Sequence, residues 1–288
     1  MINISSDFVT THWPLSQVQI GPLLKQSGGR LVYEIMAKEG KFILKVTDKS
    51  KTKEDLERDT FIFQFLKDVG FSHSPFLLKT KSGENFIQKD NAFIYLQEYI
   101  EGQIPESSIA NHQKLGEITA KIHQIKDYPH QTSFTIESIK SDLIKTAESV
   151  PFKKEYEALI DSLPDPSGLP ECLIHTDIGL HNTIQKPSGE LILVDWDDAG
   201  VGKRILDIAF PLISQFVTYD LVFREDDARA FYKTYMDHNE LTDQEKELLF
   251  NASLFFTLMY LPYGDIDKNW KRVQFALENK GEIISVLS

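Results

Sequence analysis

Residues 172–198 read CLIHTDIGLHNTIQKPSGELILVDWDD, and this stretch decides both the fold and the chemistry that the chain can support. Two apolar runs flank Lys186-Pro-Ser-Gly189, a strong turn signal, and should pair as a β-hairpin. Folding the chain about that turn brings Asn182, on one run, near Asp195, at the end of the other. Asp177 lies on the loop that enters the same end of the hairpin. The sequence therefore predicts that three oxygen-bearing side chains converge there.

Such a cluster suggests a particular kind of chemistry. Carboxylates that are brought together repel one another, which raises a pKa or favours a bound cation. Carboxylate and amide oxygens without a nearby thiolate suit a hard ion such as Mg²⁺. An Asp and an Asn that bind Mg²⁺, with a second Asp free to take a proton, can support phosphoryl transfer to a hydroxyl group. A solvated acidic loop is the alternative, because Asp and Asn are common in turns.

The histidines of the same stretch raise the question of a zinc site. His175 and His181 lie close to Asp177, but the motif has no third nitrogen ligand at a suitable spacing. The single cysteine, Cys172, excludes a Cys-based zinc cluster. We therefore expect His175 to be structural, hydrogen-bonded beneath the loop.

Lys45 lies in the middle of an apolar strand. A buried ammonium group without a partner is costly, so Lys45 should meet phosphate oxygens or an acid of the following helix. Either Glu57 or Asp59 can be that acid, and an exposed edge-strand position is the alternative for Lys45. Upstream, Gly28 and Gly29 allow the backbone to pass close to phosphates, although a Gly-Gly turn is more often a plain hairpin turn.

Composition narrows the class of protein. The 288 residues carry a net charge of −12, which argues against a nucleic-acid binder with its basic patch. The N-terminus lacks the pattern of a secretory signal. The most apolar stretch, residues 254–261, is much shorter than the roughly 20 residues of a membrane span. We therefore expect a soluble, cytoplasmic protein with no nucleic-acid or membrane partner.

The distribution of patterns along the chain indicates two lobes. Strands are expected over residues 31–36, 41–46 and 92–97, and helices over 54–66, 115–125 and 133–148. Thr242 has the position of a capping-box residue that opens a later helix. We interpret the chain as an α+β fold with a strand-rich N-lobe (residues 1–97), a hinge (98–102) and a larger helical C-lobe (103–288).

The motifs stand in the chain order of the protein kinases. In detail the chain resembles the aminoglycoside phosphotransferase family, with its choline kinase-like small-molecule kinases. The likeness covers residues 175–182 (His-Gly-Asp-x-x-x-x-Asn loop), 193–200 (Ile-Asp-Trp strand), 206–209 (Asp-Leu-Ala helix start), 115–123 (leucine-glycine…leucine-histidine helix) and 96–102 (hinge). It implies a two-lobed protein-kinase-like fold. The Ala-Pro-Glu activation segment of protein kinases is missing, which argues against a protein substrate.

The resemblance also implies roles for single residues. Asp177 would be the catalytic base, and Asn182 and Asp195 would bind Mg²⁺. Lys45 would hold the α- and β-phosphates of ATP or GTP. The implied activity is transfer of the γ-phosphate to a hydroxyl group of a small molecule such as an aminoglycoside, homoserine or choline.

The remaining implied roles are supporting ones. The nucleotide-binding set is completed by Gly28, Gly29, Asp59 and the backbone groups of Glu98 and Ile100, which would face adenine. Asp207 would brace the catalytic loop from the C-lobe, together with His175.

The chain departs from the family pattern at two points. Thr176 stands where the family has Gly, which adds bulk beside the base. The expected helix Glu aligns best with Asp59, one methylene shorter, while Glu57 lies on another face of the helix. The partner of Lys45 therefore stays open.

The sequence does not select the substrate. Asp197 and Asp198 follow the metal ligand closely and, with the net charge, favour a cationic, amine-bearing molecule. Both can equally be solvated loop acids. The rival function is a catalytically inactive, nucleotide-binding module of kinase fold, which would lack at least one of the four central residues. All four are present: Lys45, Asp177, Asn182 and Asp195.

Overall fold

A computed structural model describes residues 4–27, 30–47, 51–163, 168–262 and 265–287. Gly28 and Gly29, which carry the expected glycine turn, lie outside the described residues.

As the sequence suggests, the longer strands of the described chain lie in its first hundred residues and most of its helices follow them. The helices are α1 (Ser6–His12), α2 (Lys53–Asp68), α3 (Ile109–Gln124), α4 (Ile136–Ala147), α5 (Lys153–Asp161), α6 (Arg204–Ser214), α7 (Glu225–Met236), α8 (Asp243–Met259), α9 (Ile266–Glu278) and α10 (Lys280–Ile284). The strands are β1 (Gln19–Ser27), β2 (Arg30–Ala37), β3 (Gly40–Val46), β4 (Leu77–Leu78), β5 (Ile87–Lys89), β6 (Ala92–Glu98), β7 (Glu171–Ile174), β8 (Thr183–Gln185), β9 (Leu191–Leu193) and β10 (Gly200–Lys203).

The described residues fall into two compact units. Unit 1 is drawn from residues 1–103 and 184–197, and unit 2 from residues 104–183 and 198–288. The sequence-based boundaries assigned residues 184–197 to the C-lobe, whereas most of the β8–β9 hairpin groups with unit 1. Its backbone explains this, because the Gln103 N–H donates to the Gln185 carbonyl at 3.2 Å and the Leu193 N–H donates to the His73 carbonyl at 2.8 Å.

Unit 1 is built on an antiparallel sheet with the strand order β1-β2-β3-β6-β4, and β5 pairs with β6. The strands expected near residues 31–36, 41–46 and 92–97 are confirmed as β2, β3 and β6. One sheet face packs around Trp13, which follows α1 and is fully buried.

The alternation of side chains along β3 explains which face of the sheet Lys45 occupies. Leu44 and Val46 are buried in the Trp13 core, so Lys45 between them points to the other face of the sheet. The register pairs Lys45 with Tyr95 of β6, and Tyr95 packs with Leu56 of α2 on that face.

Helix α2 confirms the helix expected at residues 54–66. The Thr52 hydroxyl accepts from the Asp55 N–H at 3.2 Å, and the Asp55 carboxylate accepts from the Thr52 N–H at 3.0 Å, which completes a capping box. The helix ends just before Gly70, whose φ of +77° suits glycine.

Unit 2 is mainly helical. Leu115, Ile118 and Ile122 are buried along one stripe of α3, as their spacing predicts. Gly116 lets α3 approach α7 closely, because a Cβ atom there would lie 2.5 Å from the Phe231 carbonyl oxygen. The expected capping box at Thr242 is confirmed at the start of α8. Across the described residues, no helix combines the length and the apolar character that crossing a membrane requires.

Candidate active site

The loop that follows β7 is held by the carboxylate of Asp207, in the first turn of α6. Asp207 Oδ2 accepts from the His175 N–H at 2.7 Å, and its Oδ1 accepts from the Thr176 N–H at 2.6 Å. His123 Nε2 lies 3.1 Å from the same carboxylate, which is fully buried. The His175 ring is also buried and accepts from the Asp177 N–H at 3.4 Å. These charge-assisted bonds fix the backbone that leads to Asp177.

Both carboxylate oxygens of Asp177 have side-chain partners in this loop. Its Oδ2 accepts from Asn182 Nδ2 at 2.7 Å, and its Oδ1 lies 3.2 Å from His181 Nε2. Burial raises the pKa of Asp177, but the hydrogen bonds from His181 and Asn182 and the charge of His181 outweigh burial and lower the pKa below its ordinary value. The carboxylate is therefore ionised at neutral pH.

Replacing His181 with alanine should raise the pKa of Asp177, because His181 makes the largest contribution that favours the charged carboxylate. Asp177 would then be protonated at higher pH, and the acid limb of the kcat/KM profile should move to higher pH. Profiles from about pH 3 to pH 8 measure this shift, because the acid limb of the parent lies below the ordinary pKa of an aspartate. His238→Ala, an exposed histidine of the same unit, is the control. Identical acid limbs in the parent and H181A would contradict the assignment.

Two residues of the expected site adopt left-handed backbone conformations. Thr176 has φ +76° and Asp195 has φ +66°. Such conformations cost about 1–3 kcal/mol for residues other than glycine and persist only when the surroundings impose them. Glycine, which the resembled family has at the position of Thr176, adopts this conformation freely. Thr176 keeps it because Asp207 holds its N–H.

In unit 1, Lys45 lies between two carboxylates. Lys45 Nζ is 3.5 Å from Asp195 Oδ1 and 3.5 Å from Asp197 Oδ1. Asp197 also accepts from Arg30 Nη1 at 2.9 Å and from the Tyr95 hydroxyl at 3.2 Å. The sheet and the segment that follows β9 thus contribute to one charged cluster, whose members are Arg30, Lys45, Tyr95, Asp195 and Asp197.

The charges in this cluster stabilise one another. Burial raises the pKa of Asp197, but Lys45 and Arg30 more than reverse this effect and lower the pKa below its usual value. Burial lowers the pKa of Lys45, while Asp197 and Asp195 raise it above its usual value. Lys45 is therefore a permanent cation beside Asp195.

The structure corrects the expected pairing of Lys45 with a helix acid. The Asp59 carboxylate instead accepts from Lys51 and from Arg58, and Glu57 pairs with Lys53 at 3.3 Å. Among the described residues, the carboxylates within 4 Å of Lys45 Nζ are those of Asp195 and Asp197, which follow β9. These lie more than a hundred residues further along the chain, which a local pattern cannot predict.

Asp197 is also unsuited to the expected contact with a cationic substrate. It is 6% exposed and already balances the cations of unit 1. Asp198 is exposed, and its carbonyl oxygen accepts from the Thr132 hydroxyl at 2.7 Å. Only Asp198 of this acidic pair therefore keeps a carboxylate open to solvent.

The hinge residues follow the last long strand of the sheet. Glu98 ends β6, and its N–H donates to the Phe76 carbonyl at 2.9 Å. Ile100 is buried two residues later. A nucleotide base would therefore have to use the carbonyl oxygen of Glu98 rather than its N–H.

The donor atoms fit Mg²⁺ better than a transition metal. Asn182 uses its amide nitrogen to bond Asp177, which leaves the amide oxygen as the possible ligand. Asp195 offers carboxylate oxygens and is 35% exposed. Within the described ranges, no group of three or more His, Cys, Asp or Glu side chains is arranged to hold a metal. Mg²⁺ needs only one or two protein oxygens when phosphates supply the others.

Unit 2 contains a cavity of about 280 Å³ that sequence reasoning did not anticipate. It is lined by Asp177, His181, Phe210, Ser214, Tyr219, Thr257, Tyr260, Asn269 and Arg272. Of these, only Asp177 was expected at a site. His181 comes from the same loop motif as Asp177. The other residues come from α6, the segment after α6, α8 with the residue that follows it, and α9, where no motif marks them.

Unit 2 thus presents an ionised Asp177 beside Asn182, and unit 1 presents a lysine–aspartate cluster; these are residue types that phosphotransferases of the kinase type use. The family model described as "Phosphotransferase enzyme family" (APH) matches residues 26–248. The chain belongs to this family and is a small-molecule kinase.

Solved structures agree with this assignment at the level of the fold. An amicoumacin kinase in complex with AMP-PNP, Ca²⁺ and Ami has a TM-score of 0.69 at 17% identity, covering 98% of this chain and 94% of that chain. A microcompartment-associated aminopropanol kinase has a TM-score of 0.68 at 17% identity, with coverages of 97% and 98%. Spectinomycin phosphotransferase in complex with ADP and spectinomycin has a TM-score of 0.64 at 13% identity, with coverages of 98% and 95%. No curated protein matches the sequence. The expected α+β, protein-kinase-like fold is confirmed.

Proposed function

We propose that this kinase transfers the γ-phosphate of ATP or GTP to a hydroxyl group of a small, amine-bearing molecule, with Mg²⁺ as cofactor. The observation that carries the proposal is the position of Asp177, which is ionised and lines a ligand-sized cavity of unit 2. A carboxylate in this setting can orient a substrate hydroxyl and accept its proton as the oxygen attacks phosphorus.

The other residues have separate tasks in this proposal. Lys45 binds the α- and β-phosphates, and the amide oxygen of Asn182 and the carboxylate of Asp195 are the Mg²⁺ ligands. Mg²⁺, when bound, neutralises charge on the phosphates. The backbone of Gly28, Gly29, Glu98 and Ile100 contacts the nucleotide. Asp207 and His175 keep the loop in place, which their hydrogen bonds support.

The amine-bearing class has support from two sources. One fold neighbour is an aminopropanol kinase, whose substrate by its name carries both an amine and a hydroxyl group. The chain itself has a net charge of −12, which favours a cationic group on the substrate. We place the enzyme in the cytoplasm, where ATP and Mg²⁺ are abundant, and we expect no nucleic-acid or membrane partner.

A thermal-shift titration with ATP and GTP, each with and without Mg²⁺, tests the nucleotide site. A ligand at a hundred times its Kd stabilises the folded state by about 2.7 kcal/mol, which raises Tm by roughly 5–10 °C. We expect this rise only in the presence of Mg²⁺. The comparison of ATP with GTP identifies the preferred nucleobase.

Asp195→Ala should weaken Mg²⁺-dependent nucleotide binding at least tenfold, since it removes a proposed ligand of the metal. Asp198→Ala, which removes an exposed carboxylate three residues further on, is the matched control. Unaltered affinity in the Asp195 variant would refute the metal assignment. The absence of any nucleotide-induced shift in the parent protein would refute the nucleotide site, whereas a shift without turnover would favour the inactive, nucleotide-binding module.

A further inference from the structure

Arg272 lies in the wall of the unit 2 cavity, on α9. It is only 6% exposed, and the same cavity is lined by Asp177. A cation in the substrate-sized cavity of a kinase is unexpected if the substrate is purely cationic. The contacts of Arg272 determine whether its charge is already balanced within the protein.

Two of the three guanidinium nitrogens are engaged by backbone carbonyls. Nε donates to the Val217 carbonyl at 3.0 Å, and Nη2 donates to the carbonyls of Ile213 and Ser214 at 2.9 and 2.8 Å. These carbonyls lie at and beyond the C-terminal end of α6, where a cation is favourable. This structural role uses Nε and Nη2. Of the three nitrogens, Nη1 is the one to which the described structure assigns no backbone acceptor.

The positive charge itself has no acidic partner in the described part of the chain. The ring of Tyr219 lies 4.5 Å from the guanidinium carbon, and no ion pair with an Asp or Glu of the described residues involves the group. Burial lowers the pKa of Arg272, and Tyr219 only partly opposes this effect. Elsewhere in unit 2, the buried side of Arg204 is matched by the carboxylate of Glu245. Arg272 is a buried cation balanced by backbone dipoles and by the ring and side-chain hydrogen bond of Tyr219 rather than by a carboxylate, so its charge can balance that of a bound anion.

We propose that Arg272 binds the carboxylate of the phosphoryl acceptor, so that the substrate is a small hydroxy acid with its hydroxyl group at Asp177. This inference rests on the proposed function and narrows its substrate class. A carboxylate carries a single charge, which one cation balances. A phosphomonoester would bring nearly two negative charges into a cavity that already contains the ionised Asp177. With the amine proposed above, the acceptor is a zwitterionic hydroxy amino acid.

Matched pairs of compounds test this inference on the unmodified enzyme. L-Homoserine and 3-aminopropan-1-ol differ only by the carboxylate, and so do L-serine and ethanolamine, and L-threonine and 1-aminopropan-2-ol. We expect kcat/KM for the best acid to exceed that of its amino alcohol by about ten- to a hundredfold, since hydrogen bonds to charged groups have this strength. L-2-Aminobutyrate, which lacks the hydroxyl group, should inhibit competitively against the acid.

Variants of Arg272 attribute the preference to this residue. Arg272→Gln should abolish the preference through a rise in KM for the acid, so that kcat/KM falls at least tenfold further for the acid than for its amino alcohol. Arg272→Lys should restore part of it, and Lys271→Gln, on the exposed side of α9, should leave it intact. If loss of the contacts to α6 unfolds the Arg272 variants, the compound pairs still show whether the unmodified enzyme prefers the acid.

The outcomes separate this inference from the proposed function. Equal or better use of the amino alcohols, or an acid preference that persists in R272Q, overturns the role of Arg272 and leaves the kinase activity in place. Turnover of none of the six compounds also overturns it. In that case, the nucleotide-induced thermal shift, which does not involve Arg272, decides separately whether the kinase proposal stands.

Discussion

Replacing Asp177 with asparagine is expected to lower kcat by about a hundred- to ten-thousandfold, the usual contribution of a positioned acid or base. The substitution preserves the shape of the side chain but removes its ability to take a proton. Nucleotide affinity should remain within about twofold, because the nucleotide roles belong to other residues. Single-turnover measurements of phosphoryl transfer, with nucleotide titrations beside them, separate the two effects.

The asparagine variant needs a control for local rearrangement. Asp177 accepts from Asn182 and His181, and an amide in its place can accept through only one oxygen. His181→Ala removes one of those contacts and leaves the base present, so it should retain far more activity than D177N at neutral pH. A kcat for D177N within fivefold of the parent would exclude Asp177 as the base.

Local patterns were sufficient for the elements that the sequence analysis specified, among them β2, β3, β6, α2 and α3. The alternation of β3, the apolar stripe of α3 and the capping box of α8 each depend on residues within a few positions of one another. Helix α1 lacks such a pattern, because it is seven residues long and buries only Val9. The strand β10 is also short and has two glycines in its four residues, so no strand propensity marks it.

The site divides along the same line between local and long-range information. The contact of Asp177 with Asn182 spans five positions and follows from the loop motif. The contacts of Asp197 with Lys45 and Arg30 span 152 and 167 positions, and many carboxylates could satisfy either cation. The sequence predicts that Lys45 needs a partner, either phosphate oxygens or an acid of α2, but the acids that contact it follow β9 instead. Arg272 lies in a helical region without a motif, so only the folded unit brings it to the cavity of Asp177.

The partners of Asp197 lead to the second large effect. Replacing Asp197 with asparagine should destabilise unit 1 by about 3 kcal/mol, because it removes the more buried of the two carboxylates that balance Lys45 and leaves only the partly exposed Asp195. Lys45 is only 16% exposed at its side chain, so solvent cannot replace the lost carboxylate there. Arg30 is more exposed and can be solvated, which keeps the expected value at the lower end of the range for buried pairs. Tm should fall by roughly 6–12 °C.

The pH dependence of this loss identifies its electrostatic origin. The folded-state pKa of Asp197 lies below the unfolded value, so its stabilisation is complete above the ordinary pKa of an aspartate. The difference in unfolding free energy between the parent and D197N should therefore be constant from about pH 8 to pH 5. Below about pH 4 it should shrink, because Asp197 takes up a proton in the unfolded parent while it is still ionised in the folded parent.

Urea unfolding of the parent and D197N at several pH values measures both quantities. Asp198→Asn is the matched control, because it changes the neighbouring, exposed carboxylate, whose described hydrogen bond is made by the main chain. That control should alter stability by less than about 0.5 kcal/mol at every pH. Equal stabilities for D197N and D198N would mean that Lys45 does not depend on Asp197. A large loss that persists unchanged at pH 3 would point to packing rather than charge, since the contribution of an ionised carboxylate decreases once the pH lies below the pKa that it has in the unfolded chain.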